Sequence, residues 1–215
     1  MSILKKALAA VATVAVAGSM AVATATPAAA DWYEDGVFSL RYTDSIWRVD
    51  SASDSAWPLT YEEWQALGFP TPKPAQTDYV KYPWSPTVYA VTFFGNERDE
   101  WHWEAITFEQ WSRAGYPSPR NAGWIEGSEY FQWGTSSELF VWTPADDVVH
   151  KLTYSQWQAS GFMPAERIAN EGFVKVSGNA NIYYSDDLGA RSAYGPLTYE
   201  DWRYWDFPTP LVVNW

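Results

Sequence analysis

Short runs of alternating apolar and polar residues, separated by turn-forming segments, recur along the chain after residue 31. In each copy an aromatic residue or a valine opens a strand-like run, and ten residues later an aromatic residue follows an aliphatic one. The first runs open at Val37, Tyr79, Tyr130 and Phe173. Turn-forming residues lie between the two runs, so each pair of runs predicts a β-hairpin.

A third run in each copy leads into one recurring segment, Leu/Ile-Thr-Tyr/Phe-x-x-Trp, which is the strongest signal in the sequence. The four copies occupy residues 59–70, 106–117, 152–163 and 197–208, and their shared tryptophan recurs every 45 to 47 residues. Near-constant spacing of this kind is the sequence signal of a repeat protein. It predicts one repeat domain, residues 31–215, with units at 31–72, 73–119, 120–165 and 166–215.

The recurring segment predicts a helix of about two turns. Thr60 is a favourable N-cap, and Glu63 stands three residues later, where it completes a capping box. Gly68 can adopt the left-handed conformation that ends a helix, which lets Phe69 pack back on Trp64. The shared tryptophans, here called the helix tryptophans, are therefore interpreted as structural pins of the repeat: Trp64, Trp111, Trp157 and Trp202.

The fourth copy departs from the pattern at two places. Asp206 replaces the helix-ending glycine, and because Asp tolerates the left-handed conformation less well, we expect the last helix to end differently. The tail Leu211, Val212 and Val213 could add a closing strand near the first unit. Elsewhere, Asp146–Asp147 and Asp186–Asp187 are interpreted as solvated loop residues.

The predicted fold class is mainly β with short helices, with four repeats of about 46 residues, each of about three strands and one two-turn helix. A closed, four-bladed, propeller-like ring is the leading arrangement because it leaves no exposed terminal unit. An elongated array is the alternative and would need polar caps at both ends.

Residues 1–30 are typical of a signal peptide. Lys5 and Lys6 precede an apolar stretch, Pro27 interrupts it, and three alanines then precede Asp31, where we expect cleavage. An uncleaved membrane anchor is the other interpretation. No later apolar run approaches the roughly 20 residues of a membrane span. The protein is therefore expected to be secreted, extracellular or associated with the cell surface.

Composition excludes several kinds of chemistry. The chain has 15 Trp, no Cys and a formal charge of −12. Without Cys there are no disulfides or thiolate metal sites, and the separated His102 and His150 make an imidazole metal site an unfavourable hypothesis. The acidic balance argues against nucleic-acid binding. Since catalytic motifs are also missing, we expect no enzyme activity, no cofactor and no metal.

Four tryptophans have no evident packing role in the repeat and are the candidate ligand contacts: Trp84, Trp101, Trp103 and Trp124. Exposed indoles can stack on the apolar faces of sugar rings. The competing interpretation is that these rings seal contacts between units. The other tryptophans are assigned to packing or edges: Trp133 and Trp142 to strand cores, and Trp32, Trp47, Trp57, Trp205 and Trp215 to packing or edge positions.

The Thr-Tyr-x-x-Trp-x-x-x-Gly-Phe-Pro units resemble the Trp-rich repeats of exported, cell-surface-associated proteins of Gram-positive bacteria. In unit size and number the chain is also similar to hemopexin-like four-bladed propellers, although the hallmark residues of that family are not evident. The sequence thus favours a secreted, non-catalytic protein that binds glycans of the cell wall or the environment. The alternative is an extracellular protein-interaction scaffold whose acidic surface meets a basic partner.

Overall fold

A computed structural model of the chain describes residues 35–53, 55–95 and 98–215, and it contains four small β-sheets with one short helix each. The expected mainly β fold with short helices is confirmed. The proposed signal peptide, residues 1–30, and Trp32 lie outside the described residues. None of the helices in the described part is long and apolar enough to cross a membrane.

The first two sheets each have four strands, and a helix lies between the third and fourth strand of each; the fourth strands, Lys73–Pro74 and Arg120–Asn121, lie just past residues 72 and 119, where the sequence units end. Their elements are β1 (Gly36–Ser39), β2 (Ile46–Asp50), β3 (Ser55–Pro58), α1 (Tyr61–Ala66) and β4 (Lys73–Pro74), followed by β5 (Thr77–Lys81), β6 (Val88–Phe93), β7 (Trp101–Ile106), α2 (Phe108–Arg113) and β8 (Arg120–Asn121). One turn of 3₁₀ helix, Arg98–Glu100, precedes β7.

The third sheet repeats this order, and the fourth shortens it. Their elements are β9 (Glu129–Trp133), β10 (Leu139–Thr143), β11 (Val148–Leu152), α3 (Tyr154–Ala159) and β12 (Glu166–Ile168), then β13 (Gly172–Val176), β14 (Tyr183–Ser185), α4 (Tyr199–Tyr204) and β15 (Leu211–Val213). In the fourth unit, a single antiparallel bridge between Tyr183 and Pro196 stands where the other units have a third strand.

Each of the first three sheets is a three-stranded antiparallel meander with one additional parallel strand, and the fourth is a two-stranded hairpin with one. In the first sheet the order is β3-β2-β1-β4, and β4 runs parallel to β1. The chain reverses after the helix and returns beside the first strand, which the sequence did not predict. The tail strand β15 pairs with β13 in the same way. The expectation that residues 211–213 close against the first unit is therefore wrong, because they complete their own sheet.

All four helices are held by the same local contacts. The threonine at each N-cap accepts a hydrogen bond from the third helical N–H, and the side chain at that third position accepts one from the threonine N–H, so all four capping boxes form. Each helix tryptophan donates from Nε1 to a carbonyl six residues later, as in the 2.9 Å bond from Trp111 to Pro117. These rings are half-buried, so they fasten the helix by hydrogen bonding as well as packing.

The fourth helix ends as the others do. Asp206 has a φ of 54°, and its N–H donates to the Arg203 carbonyl at 2.9 Å while the Phe207 N–H donates to the Trp202 carbonyl at 3.1 Å. This is the paired C-terminal bonding that Gly68 and its equivalents make. The expectation of a different ending is wrong, because Asp206 accepts the left-handed conformation and its carboxylate gains partners on the third unit.

The core consists of aromatic clusters that join neighbouring units. One cluster combines Leu40 and Tyr42 of the first unit with Tyr79 and Phe94 of the second. Another combines the third and fourth units around Trp133 and Trp205, both 1% exposed. The packing assigned to these two tryptophans is therefore observed. Contacts thus link each unit to the next, and ring closure stays a prediction.

Candidate functional site

Three of the four candidate tryptophans lie together on one side of the second unit, and they are here called the Trp cluster: Trp101, Trp103 and Trp124. The Trp101 and Trp103 ring centroids are 6.5 Å apart, and Trp124 meets Trp103 edge-to-face at 5.4 Å. Alternation along β7 places Trp101 and Trp103 on the same face of the sheet. The guanidinium of Arg98 lies 5.0 Å from the centre of the Trp124 ring, a cation–π distance.

The rings of the Trp cluster are half-buried rather than fully exposed. Trp101 packs edge-to-face on Phe93 at 5.0 Å and donates from Nε1 to the Gly95 carbonyl at 3.1 Å. The cluster therefore has a packing role, as the competing interpretation predicted, and part of its surface still reaches solvent.

Trp84 lies apart from the Trp cluster, between the second and third units. Its ring stacks on Tyr82 at 4.5 Å and, from the opposite unit, on His150 at 4.2 Å. The neighbouring Ser85 hydroxyl donates to the carboxylate of Asp146. The turn that holds Trp84 is thus fixed to the third unit, and this ring serves the interface between units.

Asp146 and Asp147 are hydrogen-bonded to other units, whereas the sequence had suggested solvated loop residues. Besides the bond to Ser85, Asp147 accepts hydrogen bonds from Trp142 Nε1 at 3.3 Å and from the Tyr204 hydroxyl at 2.6 Å. The pair therefore connects the second, third and fourth units. Trp142 itself is half-buried against the core between the third and fourth units.

The most exposed large aromatic rings belong to the recurring helices. The residue after each N-cap threonine is aromatic, and these rings are highly exposed: Tyr61 64%, Phe108 71%, Tyr154 69% and Tyr199 62%. Each lies within 5.6 to 6.1 Å of a second ring, the one that follows the helix-ending residue. We call each such couple a helix ring pair: Tyr61–Phe69, Phe108–Tyr116, Tyr154–Phe162 and Tyr199–Phe207.

The geometry of the helix ring pair is nearly constant among the four copies. The angles between the two ring planes lie between 48° and 57°. The second ring of each pair also contacts the helix tryptophan edge-to-face, at 5.0 to 5.1 Å. The tryptophan and the backbone bonds hold the second ring in place, whereas the first ring contributes little to burial.

Sequence reasoning missed the helix ring pairs although the signal was present. An aromatic residue follows the cap in all four copies, at a helix position that packing does not require to be apolar. The constant Tyr or Phe belongs to the helix motif, so the sequence alone does not distinguish a structural role from an exposed one. Large apolar groups that stay exposed mark interaction surfaces when they recur in a pattern.

The two histidines have separate environments. His102 packs on Trp47 at 4.6 Å between ring centroids and lies 3.6 Å from the Glu104 carboxylate. His150 Nδ1 lies 3.0 Å from Asp206, while its Nε2 contacts the Gln156 amide at 3.1 Å. Within the described ranges, no group of three or more potential metal-ligating side chains is found.

Comparisons of this chain with protein-family models, with curated proteins and with solved structures find no match. The functional argument therefore depends on the chemistry of the surface itself.

Proposed function

We propose that this protein is a secreted, non-catalytic binding protein that recognises glycans of a cell wall or of its surroundings. The observation that carries the proposal is the fourfold recurrence of the helix ring pair, whose first ring is exposed in every copy. An exposed ring on the first helical residue adds little to folding, so its repetition favours a role in binding.

The chemistry beside each first ring suits a sugar. The apolar face of an aromatic ring can pack against the C–H face of a pyranose, and a polar group beside it can bind the hydroxyls. An exposed polar residue follows the first ring in every copy: Glu62, Glu109, Ser155 and Glu200. Tyrosine hydroxyls at three of the four first positions offer a further donor or acceptor.

The four helix ring pairs form equivalent binding platforms, and four equivalent platforms favour a ligand built of repeating units. One ring pair offers a small contact and hence weak binding, but several pairs engaged by one polymer raise the overall affinity through effective concentration. A polysaccharide strand presents the same face many times. Such polymers surround an exported protein of the Gram-positive surface, the class that the Trp-rich repeats resemble.

The acidic composition narrows the class of glycan. The chain carries a formal charge of −12, and the platforms of the first and fourth units lie beside two acidic residues each. Repulsion disfavours strongly anionic polymers, so neutral polysaccharides are the expected ligands. The paired acids are not proposed as catalytic groups because Glu63 accepts a hydrogen bond from the Thr60 N–H at 2.8 Å as part of a helix cap.

The proposal is tested by removing all four first rings. We expect the quadruple variant Tyr61→Ala, Phe108→Ala, Tyr154→Ala and Tyr199→Ala to lose retention on insoluble neutral polysaccharide or purified cell wall. The matched control exchanges Tyr and Phe at the same four positions, which keeps every ring and should keep retention. Thermal unfolding of both variants checks that the fold is unaffected.

Equal retention of the alanine variant and the control would overturn the proposed function. That result would favour the alternative function, a scaffold whose acidic surface binds a basic protein. Binding to a basic partner would weaken in high salt because exposed charges are screened. Retention through stacked rings is expected to persist in the same salt.

A further inference from the structure

The loop between β6 and β7 is longer than its counterparts in the repeat. It comprises residues 94–100, whereas the equivalent loops of the first and third sheets comprise residues 51–54 and 144–147. The longer loop includes Arg98, whose guanidinium lies 5.0 Å from the centre of the Trp124 ring. This insertion of the second sheet therefore reaches the Trp cluster.

The connection from β8 to β9 carries a second insertion. It comprises residues 122–128, whereas the equivalent connections into the second and fourth sheets comprise residues 75–76 and 169–171. Trp124 and Glu126 lie on this longer connection. Insertions in a repeat protein often lie on its binding face. The two departures from the repeat meet at one place, which makes that place a candidate for a contact that the four common platforms do not provide.

A pocket of about 290 Å³, open to solvent, lies beside the second insertion, and we call it the Glu126 pocket. Tyr89 and Thr143 line it but are buried, so contact with a ligand falls to the lining residues that solvent reaches. These are Trp103, Ala105, Glu126, Gly127, Pro144 and Ala145. The accessible lining is therefore mainly apolar, with one indole and one carboxylate.

The carboxylate of Glu126 has no hydrogen bond or ion pair with the residues that the structure describes. Partial burial raises the pKa of this carboxyl, and the attraction of His102 only partly opposes the effect. A carboxylate that is partly removed from water and lacks a partner is stabilised when a cation is placed beside it. The pocket thus offers a negative group that the protein itself does not pair.

We propose that the Glu126 pocket binds a primary ammonium group on an aliphatic stem, such as the lysine side chain of a peptide. The carboxylate of Glu126 pairs with the ammonium through a charge-assisted hydrogen bond. The indole of Trp103 is the aromatic group that attracts cations best. The exposed side chains of Ala105, Pro144 and Ala145 contact the methylene groups, which lysine readily lays along apolar surface.

Charge and size support this ligand. The chain carries a formal charge of −12, so its field attracts cations and repels anions. The Trp cluster already holds one cationic group of the protein, since Arg98 lies over Trp124. A volume of about 290 Å³ is at the lower end of the range for small-molecule pockets, roughly 300 to 1,000 Å³, which suits a single side chain.

Three probes that differ in charge test the inference in the intact, ¹⁵N-labelled protein. They are the Nα-acetyl methylamides of lysine, norleucine and glutamate, titrated at constant ionic strength. The readouts are the backbone amide resonance of Gly127 and the indole N–H resonance of Trp103, assigned with Trp103→Phe. We expect the lysine probe to shift both resonances, the neutral norleucine probe to bind more weakly, and the glutamate probe to bind least. Added salt should weaken the lysine probe.

The variant Glu126→Gln removes the charge and keeps the size of the side chain. We expect it to weaken binding of the lysine probe roughly fivefold, as for the loss of one partly exposed ion pair. The matched control is Glu166→Gln, which removes an equal charge from an exposed residue of the third sheet that does not line the pocket. It should leave binding unchanged. Thermal unfolding checks that both variants are folded.

The inference is overturned if the lysine probe shifts neither resonance, if norleucine or glutamate binds as tightly as lysine, or if Glu126→Gln and Glu166→Gln have equal effects. The pocket shares no residue with the helix ring pairs, so the quadruple alanine variant of those rings should bind the lysine probe like the wild type. Loss of polysaccharide retention and loss of lysine binding are therefore separate results, and either proposal can fail while the other stands.

Discussion

The carboxylate of Asp206 lies 3.0 Å from Nδ1 of His150 and connects the last helix to the third sheet. The same oxygen accepts a hydrogen bond from the Lys151 N–H at 2.7 Å. Asp206 occupies the helix-ending position that is glycine in the other three units, and it adopts a φ of 54° there. An unfavourable backbone conformation is thus offset by two contacts with the neighbouring unit.

Substitutions at Asp206 separate the backbone cost from the contacts. Asp206→Ala keeps a side chain in the left-handed conformation and loses both contacts, so we expect a loss of about 2 kcal/mol in the free energy of unfolding. Asp206→Gly relieves the backbone and should lose less. Urea unfolding measures both. An alanine variant as stable as the wild type would show that the contacts contribute nothing.

A pH dependence follows from the environment of His150. Burial lowers the pKa of this histidine below its usual 6.5, and the attraction of Asp206 only partly opposes the effect. The unfolded chain therefore takes up a proton on this histidine more readily than the folded protein does. The stability that the neutral His150 contributes to the fold is complete above pH 6.5 and is lost as the pH falls from 6.5 through the lowered pKa. Stability should therefore decrease on acidification from neutral pH.

The variant His150→Phe isolates this contribution because it keeps a ring stacked on Trp84. We expect the free energy of unfolding of the variant to fall less steeply below pH 6.5 than that of the wild type. Glu138 also affects stability at acidic pH, but its pKa is lowered by the Thr209 and Lys151 bonds despite partial burial, so it takes up a proton only near pH 4.5 and below. The unfolding free energies of the two proteins should therefore be compared between neutral pH and about pH 5.5. Parallel profiles for the two proteins would refute the assignment.

Much of the fold follows from local sequence. Thr60, Glu63 and Gly68 specify where the first helix begins and ends, because caps depend only on nearby backbone groups. The hairpins follow from alternation and turn residues. The parallel return strand was missed because Lys73–Pro74 is only two residues long, and its pairing with β1 depends on how the chain reverses after the helix.

The site could be predicted only in part because exposure is a tertiary property. The sequence singled out Trp103 as a candidate ligand contact, and the structure places it half-buried against Trp124. Whether an indole faces solvent or a neighbouring unit depends on packing between units. Trp84 shows this, since its stacking partner His150 comes from another unit.

The indole hydrogen bond that closes each helix should be measurable. In Trp111→Phe the ring remains, but the 2.9 Å bond to the Pro117 carbonyl is lost. We expect a loss of about 1 to 2 kcal/mol in the free energy of unfolding, from the bond and from the smaller ring. Phe108→Ala, on the exposed side of the same helix, should change stability by less than about 0.5 kcal/mol. Equal effects of the two substitutions would contradict the conclusion that the helix tryptophan supports the fold while the exposed first ring does not.

A close backbone approach within the third unit gives the last prediction. Gly123 lies so near the end of α3 that a Cβ there would overlap the Ala159 carbonyl oxygen, which is main chain and cannot swing aside. We expect Gly123→Ala to lower the free energy of unfolding by at least about 2 kcal/mol, as overpacking does. The matched control is Gly195→Ala, where nothing lies within 4 Å of the added Cβ and φ is not left-handed. Thermal and urea unfolding compare the two variants. If Gly123→Ala is as stable as its control, the segment around Gly123 does not pack against the end of α3.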